Sequence, residues 1–373
     1  MAVNVLFIEA FSGGSHADFV NGLAKHSRHH IDVLRLPARF WKWRMRGAAL
    51  YLAPRIEDIT RYDVIMSSNM MSLSDFCTLS GPSMPPAILY FHENQLTYPL
   101  PPGAVMDMQF GFTDITSALA ATQVCFNSAF HMRLFLDTLP GFIRKMPEFH
   151  PDWVVKAIRR KSSVHYPGVD LTDAGDVAER CLQAPPLVIW NHRWEFDKNP
   201  DDFFDALIEV AGRGIDFRLA ILGKNYQNSP HAFENARSVL SDRIVAYGHE
   251  PYKETYRQWL RQGHLVVSTA VQENYGISII EAIHAGCLPL LPRRLSYPEI
   301  LPARYHDAFI YEDQGDLVEK LCRHLGAAAT AMPLRRALSA AMTAYGWSAV
   351  IAGYDEMLET VAAAGNRAGK IFR

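Results

Sequence analysis

The chain has 373 residues, 49% of them apolar and 20% charged, which supplies material for two globular domains and excludes bulk disorder. A formal net charge of -2 excludes a chain-wide attraction to nucleic acid or anionic membrane, so any polyanionic partner must be held by a local patch. Five scattered cysteines, Cys77, Cys125, Cys181, Cys287 and Cys322, form no Cys-x-x-Cys pair, which argues against a disulfide framework and a structural zinc site.

Short apolar runs separated by segments of helical length recur along the whole chain, the pattern of parallel sheets covered by helices. The first run, residues 3–8, stops at Glu9 and lacks the basic start and long apolar core of a signal peptide. No later run has the roughly 18 apolar residues of a membrane span, so a soluble cytoplasmic protein with no membrane partner is expected. Strands are predicted at 3–8, 31–34, 64–67, 87–91 and 124–126, and again at 187–190, 217–222, 243–247, 265–268 and 289–291. Two doubly wound α/β domains follow, 1–184 and 185–347, with the hinge placed at Gln183-Ala184-Pro185-Pro186 because paired prolines end a helix. Residues 348–373 carry Ile351, Tyr354, Met357, Leu358 and Val361 at helical spacing, an amphipathic helix that could pack back on either domain, the N-terminal one included.

Polar motifs fall just after the predicted strands. The first loop, Phe11-Ser12-Gly13-Gly14-Ser15-His16, lets backbone approach a ligand but lacks the full dinucleotide spacing. Phe40-Trp41-Lys42-Trp43-Arg44-Met45-Arg46 interleaves aromatics with cations, a composition suited to stacked bases and phosphates, or equally to a solvated face. A second basic stretch runs over residues 156–161 and includes Arg159 and Arg160. After the fourth strand come His92, Glu93, Asn94 and Gln95; His92 is a candidate contact for a sugar hydroxyl or the acceptor, or a structural histidine.

In the second half, Arg193 and Lys198 follow the first strand and can put two cations at its C-terminal edge, where they would neutralise a diphosphate. Their bland alternative is surface pairing with Glu195 and Asp197. After the strand at 265–268 comes Gln272-Glu273-Asn274-Tyr275-Gly276-Ile277, with Glu281 eight residues beyond Glu273. That spacing alone recurs by chance, and its weight lies in the setting: a strand end, a glycine, and a helix start whose unpaired N–H groups favour phosphate. Glu281 could then take ribose hydroxyls and Glu273 those of a sugar, unless the segment is a solvated loop with a surface pair.

His192-Arg193-Trp194, Lys198, Gly223, the Glu273/Glu281 pair and Ala285-Gly286-Cys287-Leu288-Pro289 resemble the retaining GT-B glycosyltransferases. Residues 8–16, Leu36-Pro37-Ala38, Trp41-Lys42-Trp43-Arg44, residues 90–96 and Phe126-Asn127-Ser128 are similar to the tRNA-queuosine α-mannosyltransferases, and the resemblance runs from Val5 to about Trp347. It implies a GT-B fold of two Rossmann-like domains facing across a cleft, and transfer of mannose from GDP-mannose to queuosine at the wobble position of tRNA-Asp with the α configuration kept. By position it implies that Arg193 and Lys198 bind the diphosphate, Glu281 the ribose, and Glu273 with the Asn274, Tyr275, Gly276 and Ile277 backbone the mannose. His92 would lie beside the sugar, Gly13 and Gly14 over the phosphates, and Tyr247, Gly248 and His249 near the nucleobase. Acceptor and tRNA contacts are expected from Asn94, Gln95, Trp41, Lys42, Trp43, Arg44 and Arg46. No metal and no cofactor beyond the sugar nucleotide is expected, and no carboxylate stands out as a nucleophile, so front-face displacement is the expected route. A GT-B transferase with a lipid, polysaccharide or metabolite acceptor, or a module of the same fold that binds without transfer, are the alternatives.

Overall fold

The computed structural model describes residues 2–101, 103–172, 185–224, 230–327 and 332–371, with side chains to residue 365. The chain forms two compact units, one made of Met1–Gly168 with Trp347–Arg373, the other of Val169–Gly346. Residues 169–172 thus belong to the second unit, upstream of the expected boundary at 184/185. Val169 donates to the Tyr345 carbonyl and pairs with Gly346, and Asp170 binds Arg257 at 2.9 Å. Gln183 and Ala184 of the expected hinge lie outside the described residues.

The first unit holds six parallel strands: β1 (Asn4–Ser12), β2 (His30–Pro37), β3 (Val64–Ser68), β4 (Ala87–Phe91), β5 (Gln123–Phe126) and β6 (Ser162–Val164), in the order β2-β1-β3-β4-β5-β6. Alternate residues of β1 face opposite cores, as a two-residue period requires. Leu6 and Ile8 join helices Trp41–Leu52, Leu73–Ser80, Met108–Ala120, Ala129–Ile143 and Trp153–Arg159 on one face. Val5 and Phe7 join helix Ser15–His26 and the C-terminal helix Trp347–Ile371 on the other. That last helix completes the first unit: Trp347, Tyr354, Leu358 and Val361 enter its core, and Tyr354 Oη donates to the carbonyls of His165 and Tyr166 at 3.0 Å.

The second unit repeats the design with β7 (Leu187–Trp190), β8 (Arg218–Leu222), β9 (Ile244–Gly248), β10 (Leu265–Val267), β11 (Leu288–Pro292) and β12 (Ile310–Tyr311), in the order β12-β11-β10-β7-β8-β9. All ten strands read from the sequence are present. Two of the four edge strands, β6 and β12, escape that reading because they span only three residues and two. Each sheet has a switch point where the strand order reverses, between β1 and β3 in the first and between β7 and β10 in the second. Open α/β sheets bind ligands at the carboxyl ends of the strands at such points.

Candidate functional site

The two strongest motifs of the second unit meet at its switch point. The segment after β7 turns through a short helix, Phe196–Lys198, and Asn199 in the left-handed region (φ 51°) launches helix Pro200–Gly212 with proline in its first turn. The segment after β10 is tied to it by Val271 N donating to the Asp197 carbonyl at 2.8 Å, and by Thr269 Oγ1 donating to the Asn199 carbonyl at 2.7 Å. These bonds bury Lys198 against the strand end. Its Nζ donates to the Gln272 carbonyl at 2.6 Å and to Glu273 Oε2 at 3.4 Å, and lies 3.4 Å from Asp197 Oδ2. Gly276 follows at φ 102°, a conformation that favours glycine, and opens helix Ile277–His284, in which Ile279 N and Ile280 N bond the Gly276 carbonyl at 3.0 and 3.1 Å and the N–H groups of Ile277 and Ser278 precede the first bonded position.

Charge is arranged unevenly here. Burial opposes ionisation of Glu273, but the Lys198 ammonium and the Tyr275 N–H outweigh it and hold its carboxyl below the ordinary value. Burial, helped by Lys198, pushes His192 down to about 3, so this imidazole is neutral. His192 Nε2 is buried without a hydrogen-bond partner among the described residues. Burial raises Glu195, and the Asp197 carboxyl beside it acts in the same direction against the Arg193 cation. Arg193 pairs with Glu195 at 3.1 Å and remains 48% exposed. The pairing expected of a surface loop is therefore present for Arg193, whereas Lys198 sits inside the unit.

Glu281, on the second turn of its helix, receives a hydrogen bond from Tyr256 Oη at 3.3 Å. Asn191 Nδ2 donates in turn to Tyr256 Oη at 3.1 Å and to the Ser278 carbonyl at 2.7 Å. Neither Asn191 nor Tyr256 was legible as a site residue, because their link to Glu281 spans distant parts of the chain. Gly223 ends β8 at φ 142°, where an added Cβ would lie 1.9 Å from the His192 carbonyl oxygen, so only glycine fits. Gly248 ends β9 at φ 128°, followed by an exposed His249. Beside them a recess of about 500 Å³ is lined by Trp194, Pro230, Phe233, Glu234, Arg237 and Tyr247, with the Trp194 and Phe233 rings stacked at 4.3 Å.

In the first unit, Gly13 and Gly14 connect β1 to helix Ser15–His26; Gly14 has φ 53°, and a Cβ at Gly13 would press to 2.5 Å from Ala38 Cβ. His92 follows β4 with its ring 4.0 Å from that of His16, and burial, then His16 and His131, hold its basicity well below the ordinary value. Asn94 is buried and spends its amide on the loop. Its Oδ1 accepts from the N–H groups of Leu96 and Thr97 at 3.0 Å, and its Nδ2 donates to Thr97 Oγ1 and His131 Nε2 at 2.8 Å. Gln95 is half-buried, its N–H bound to Asp114 Oδ2 at 2.7 Å.

The basic-aromatic motif starts helix Trp41–Leu52 and divides by face. Trp43, 77% exposed, and Phe40, 69% exposed, stand out with exposed Lys42 and Arg46. Trp41 turns inward to Phe110, ring centroids 5.0 Å apart, and Arg44 is half-buried. In the second basic stretch, Lys161 Nζ donates to the carbonyls of Leu119 and Ala121 at the end of helix Met108–Ala120, which makes it a helix cap. No helix among the described residues is long and apolar enough to cross a membrane.

Residues 4–169 match a family model described as the N-terminal part of tRNA-queuosine α-mannosyltransferase, and residues 185–327 match that of group 1 glycosyl transferases. The chain is similar to a Drosophila melanogaster tRNA-queuosine α-mannosyltransferase, 35% identical over 333 residues, covering 85% of this chain and 86% of that one. Among solved structures it resembles a glycosyltransferase from Rickettsia africae, with TM-score 0.70 and 14% identity over 96% of this chain and 98% of that one. A sucrose-phosphate synthase from Thermosynechococcus elongatus is as similar, with TM-score 0.70 and 14% identity over 97% of this chain and all of that one. The structural likeness speaks to the fold, which is GT-B, with two Rossmann-like units.

Proposed function

The chain belongs to the tRNA-queuosine α-mannosyltransferase family of glycosyltransferases, and from that premise we propose that it moves mannose from GDP-mannose to queuosine at the wobble position of tRNA-Asp. One observation carries the donor half of this reading: the buried Lys198 bound to Glu273 at a sheet switch point, beside a glycine-opened helix and the half-exposed Arg193. Arg193 and Lys198 face the diphosphate, a phosphate oxygen taking the place of the long Asp197 contact on Lys198. Glu273 and the Asn274–Ile277 backbone grip mannose hydroxyls, Glu281 a ribose hydroxyl, and the aromatic recess beside Tyr247 takes the base.

The bond from mannose C1 to the β-phosphate oxygen breaks as the acceptor oxygen bonds to C1 on the same face. The acceptor proton passes to the leaving phosphate, so the electron pair of the broken bond stays on the diphosphate and the α configuration is kept. Negative charge grows on that phosphate in the transition state, where two fixed cations stabilise it more than in the ground state. We assign this role to Arg193 and Lys198 in place of a metal ion, and to Glu273 no covalent part. His92 meets a sugar hydroxyl, and Trp43, Phe40, Lys42, Arg44 and Arg46 meet the RNA. Action in the cytoplasm, where sugar nucleotide and tRNA coexist, is part of the same proposal.

GDP release from GDP-mannose, measured with and without queuosine-containing tRNA and with UDP-glucose as rival donor, tests it. Release that depends on that tRNA and persists in EDTA is expected. Equal release from UDP-glucose, loss in EDTA, or a glycosylated Glu273 peptide by mass spectrometry would each contradict a stated part.

A further inference from the structure

Glu9 is the only charged residue of β1 and is fully buried in a strand that is otherwise almost wholly apolar. Burying a carboxylate costs several kcal/mol unless donors meet it. Three do: Phe11 N and Ser68 Oγ donate to Oε1 at 2.9 Å, and His16 Nδ1 stands 3.4 Å from Oε2. The contact of Glu9 Oε2 with His16 Nδ1 ties the imidazole to the strand and sets the ring's orientation. The face of that ring then lies 4.0 Å from His92, whose other sides meet Tyr90 at 4.8 Å and Phe19 at 5.1 Å. The His92 carbonyl is held by Asn127 Nδ2 at 2.8 Å.

We propose that Glu9 and His16 are positioning residues, a carboxylate–imidazole dyad that fixes the His92 ring against a hydroxyl of the transferred sugar. The inference rests on the reading of His92 as a sugar contact. Phe11 N and Ser68 Oγ meet one oxygen of this buried carboxyl, and its other oxygen faces His16. The titratable groups around His92 are Glu9 on β1, Tyr90 on β4, whose phenol burial keeps protonated, His16 on helix Ser15–His26 and His131 on helix Ala129–Ile143. His131 is itself held between Asn94 and Asn127 at 2.8 Å on its two nitrogens. Together with burial, these imidazoles keep His92 neutral, able to hydrogen-bond a hydroxyl without bringing charge to the sugar.

The ligand-forming atoms of Glu9, His16 and His92 also lie within 4.8 Å of one another, as a cation site requires. Two imidazoles sharing one tetrahedral ion, with metal–nitrogen bonds of about 2.1 Å, hold their ring centres about 5 Å apart. Ring centres at 4.0 Å, tilted by 34°, fit stacking better.

Steady-state kinetics of His16→Gln, Glu9→Gln, His92→Ala and the double variant His16→Gln/His92→Ala, with GDP-mannose and queuosine-containing tRNA, test the dyad. His92→Ala and His16→Gln should each lower kcat by about 10- to 100-fold, with KM for GDP-mannose within about twofold, and the double variant should be no slower than His92→Ala. In His16→Gln the acid limb of kcat should move to higher pH, because one cause of His92's low basicity is gone. Glu9→Gln should match His16→Gln if it folds, and His16→Gln stands alone if it does not. Multiplying losses in the double variant, wild-type kcat in His16→Gln beside an impaired His92→Ala, or one tightly bound metal ion per chain lost with His16 would overturn the dyad. Wild-type kcat in His92→Ala would instead overturn the reading of His92 itself.

Discussion

Lys198 illustrates how a single residue ties fold to chemistry. Its ammonium lies between the Glu273 and Asp197 carboxylates and the Gln272 carbonyl, so Lys198→Met would leave buried negative charge without a partner. A loss of about 3–5 kcal/mol in unfolding free energy is expected, read by urea denaturation. Arg193, half-exposed, carries little of the fold, and Arg193→Ala should cut kcat by about 100-fold or more at near-normal melting temperature. Wild-type turnover in that variant would contradict its role. Glu273 is held below its ordinary value, so it contributes stability above the unfolded-state value, and that contribution is lost as pH falls through the folded one. Asp114 has the opposite sign. Burial raises it to about 8, although the Gln95 N–H pulls the other way, so its folded form keeps a proton that the unfolded chain gives up near pH 4. Stability from this group is full below pH 4 and declines as pH rises towards 8. Asp114→Asn, which keeps the acceptor for Gln95, should raise the melting temperature at pH 8, with the gain shrinking towards pH 4.

Among the elements, the C-terminal helix Trp347–Ile371 completes one core of the first unit. It caps one face of the sheet with Trp347, Tyr354, Met357, Leu358 and Val361, and the Trp347 ring fills a space where a Cβ on Gly22 or Gly168 would approach to 2.2 Å. Gly168→Ala should therefore cost about 1–3 kcal/mol by overpacking, measured by urea denaturation, while helix-surface changes at Glu356 should be near neutral. The helix itself was legible from the spacing of its apolar residues, but its partner was not, because amphipathicity says that a face is buried and not where. The two motif segments of the second unit were legible for a similar local reason: Arg193 and Lys198 lie three and eight residues beyond the end of β7, and Glu273 six beyond the end of β10. What pairs with them was not. Asn191 and Tyr256 depend on strand order, which no local pattern encodes, and the Glu9–His16 pair, seven residues apart, depends on how the glycine loop turns from β1 into its helix. Sequence also assigned Asn94 and Trp41 by composition, whereas burial gives Asn94 to its own loop and Trp41 to Phe110.

At the scale of the molecule, a net charge of -2 leaves RNA binding to local patches, and we propose as that patch the exposed face of helix Trp41–Leu52, where Phe40, Lys42, Trp43 and Arg46 are exposed. Lys42→Ala/Arg46→Ala should raise KM for tRNA several-fold, flatten its dependence on salt by the loss of about two phosphate contacts, and leave KM for GDP-mannose unchanged. An unaltered salt dependence would place the RNA elsewhere. The family assignment joins these parts into one activity, and its central claim concerns the acceptor. Mass spectrometry of tRNA-Asp after incubation with the protein and GDP-mannose measures it directly: a gain of one hexose on the wobble queuosine is expected, and unmodified tRNA alongside a hexosylated lipid, polysaccharide or metabolite would contradict it.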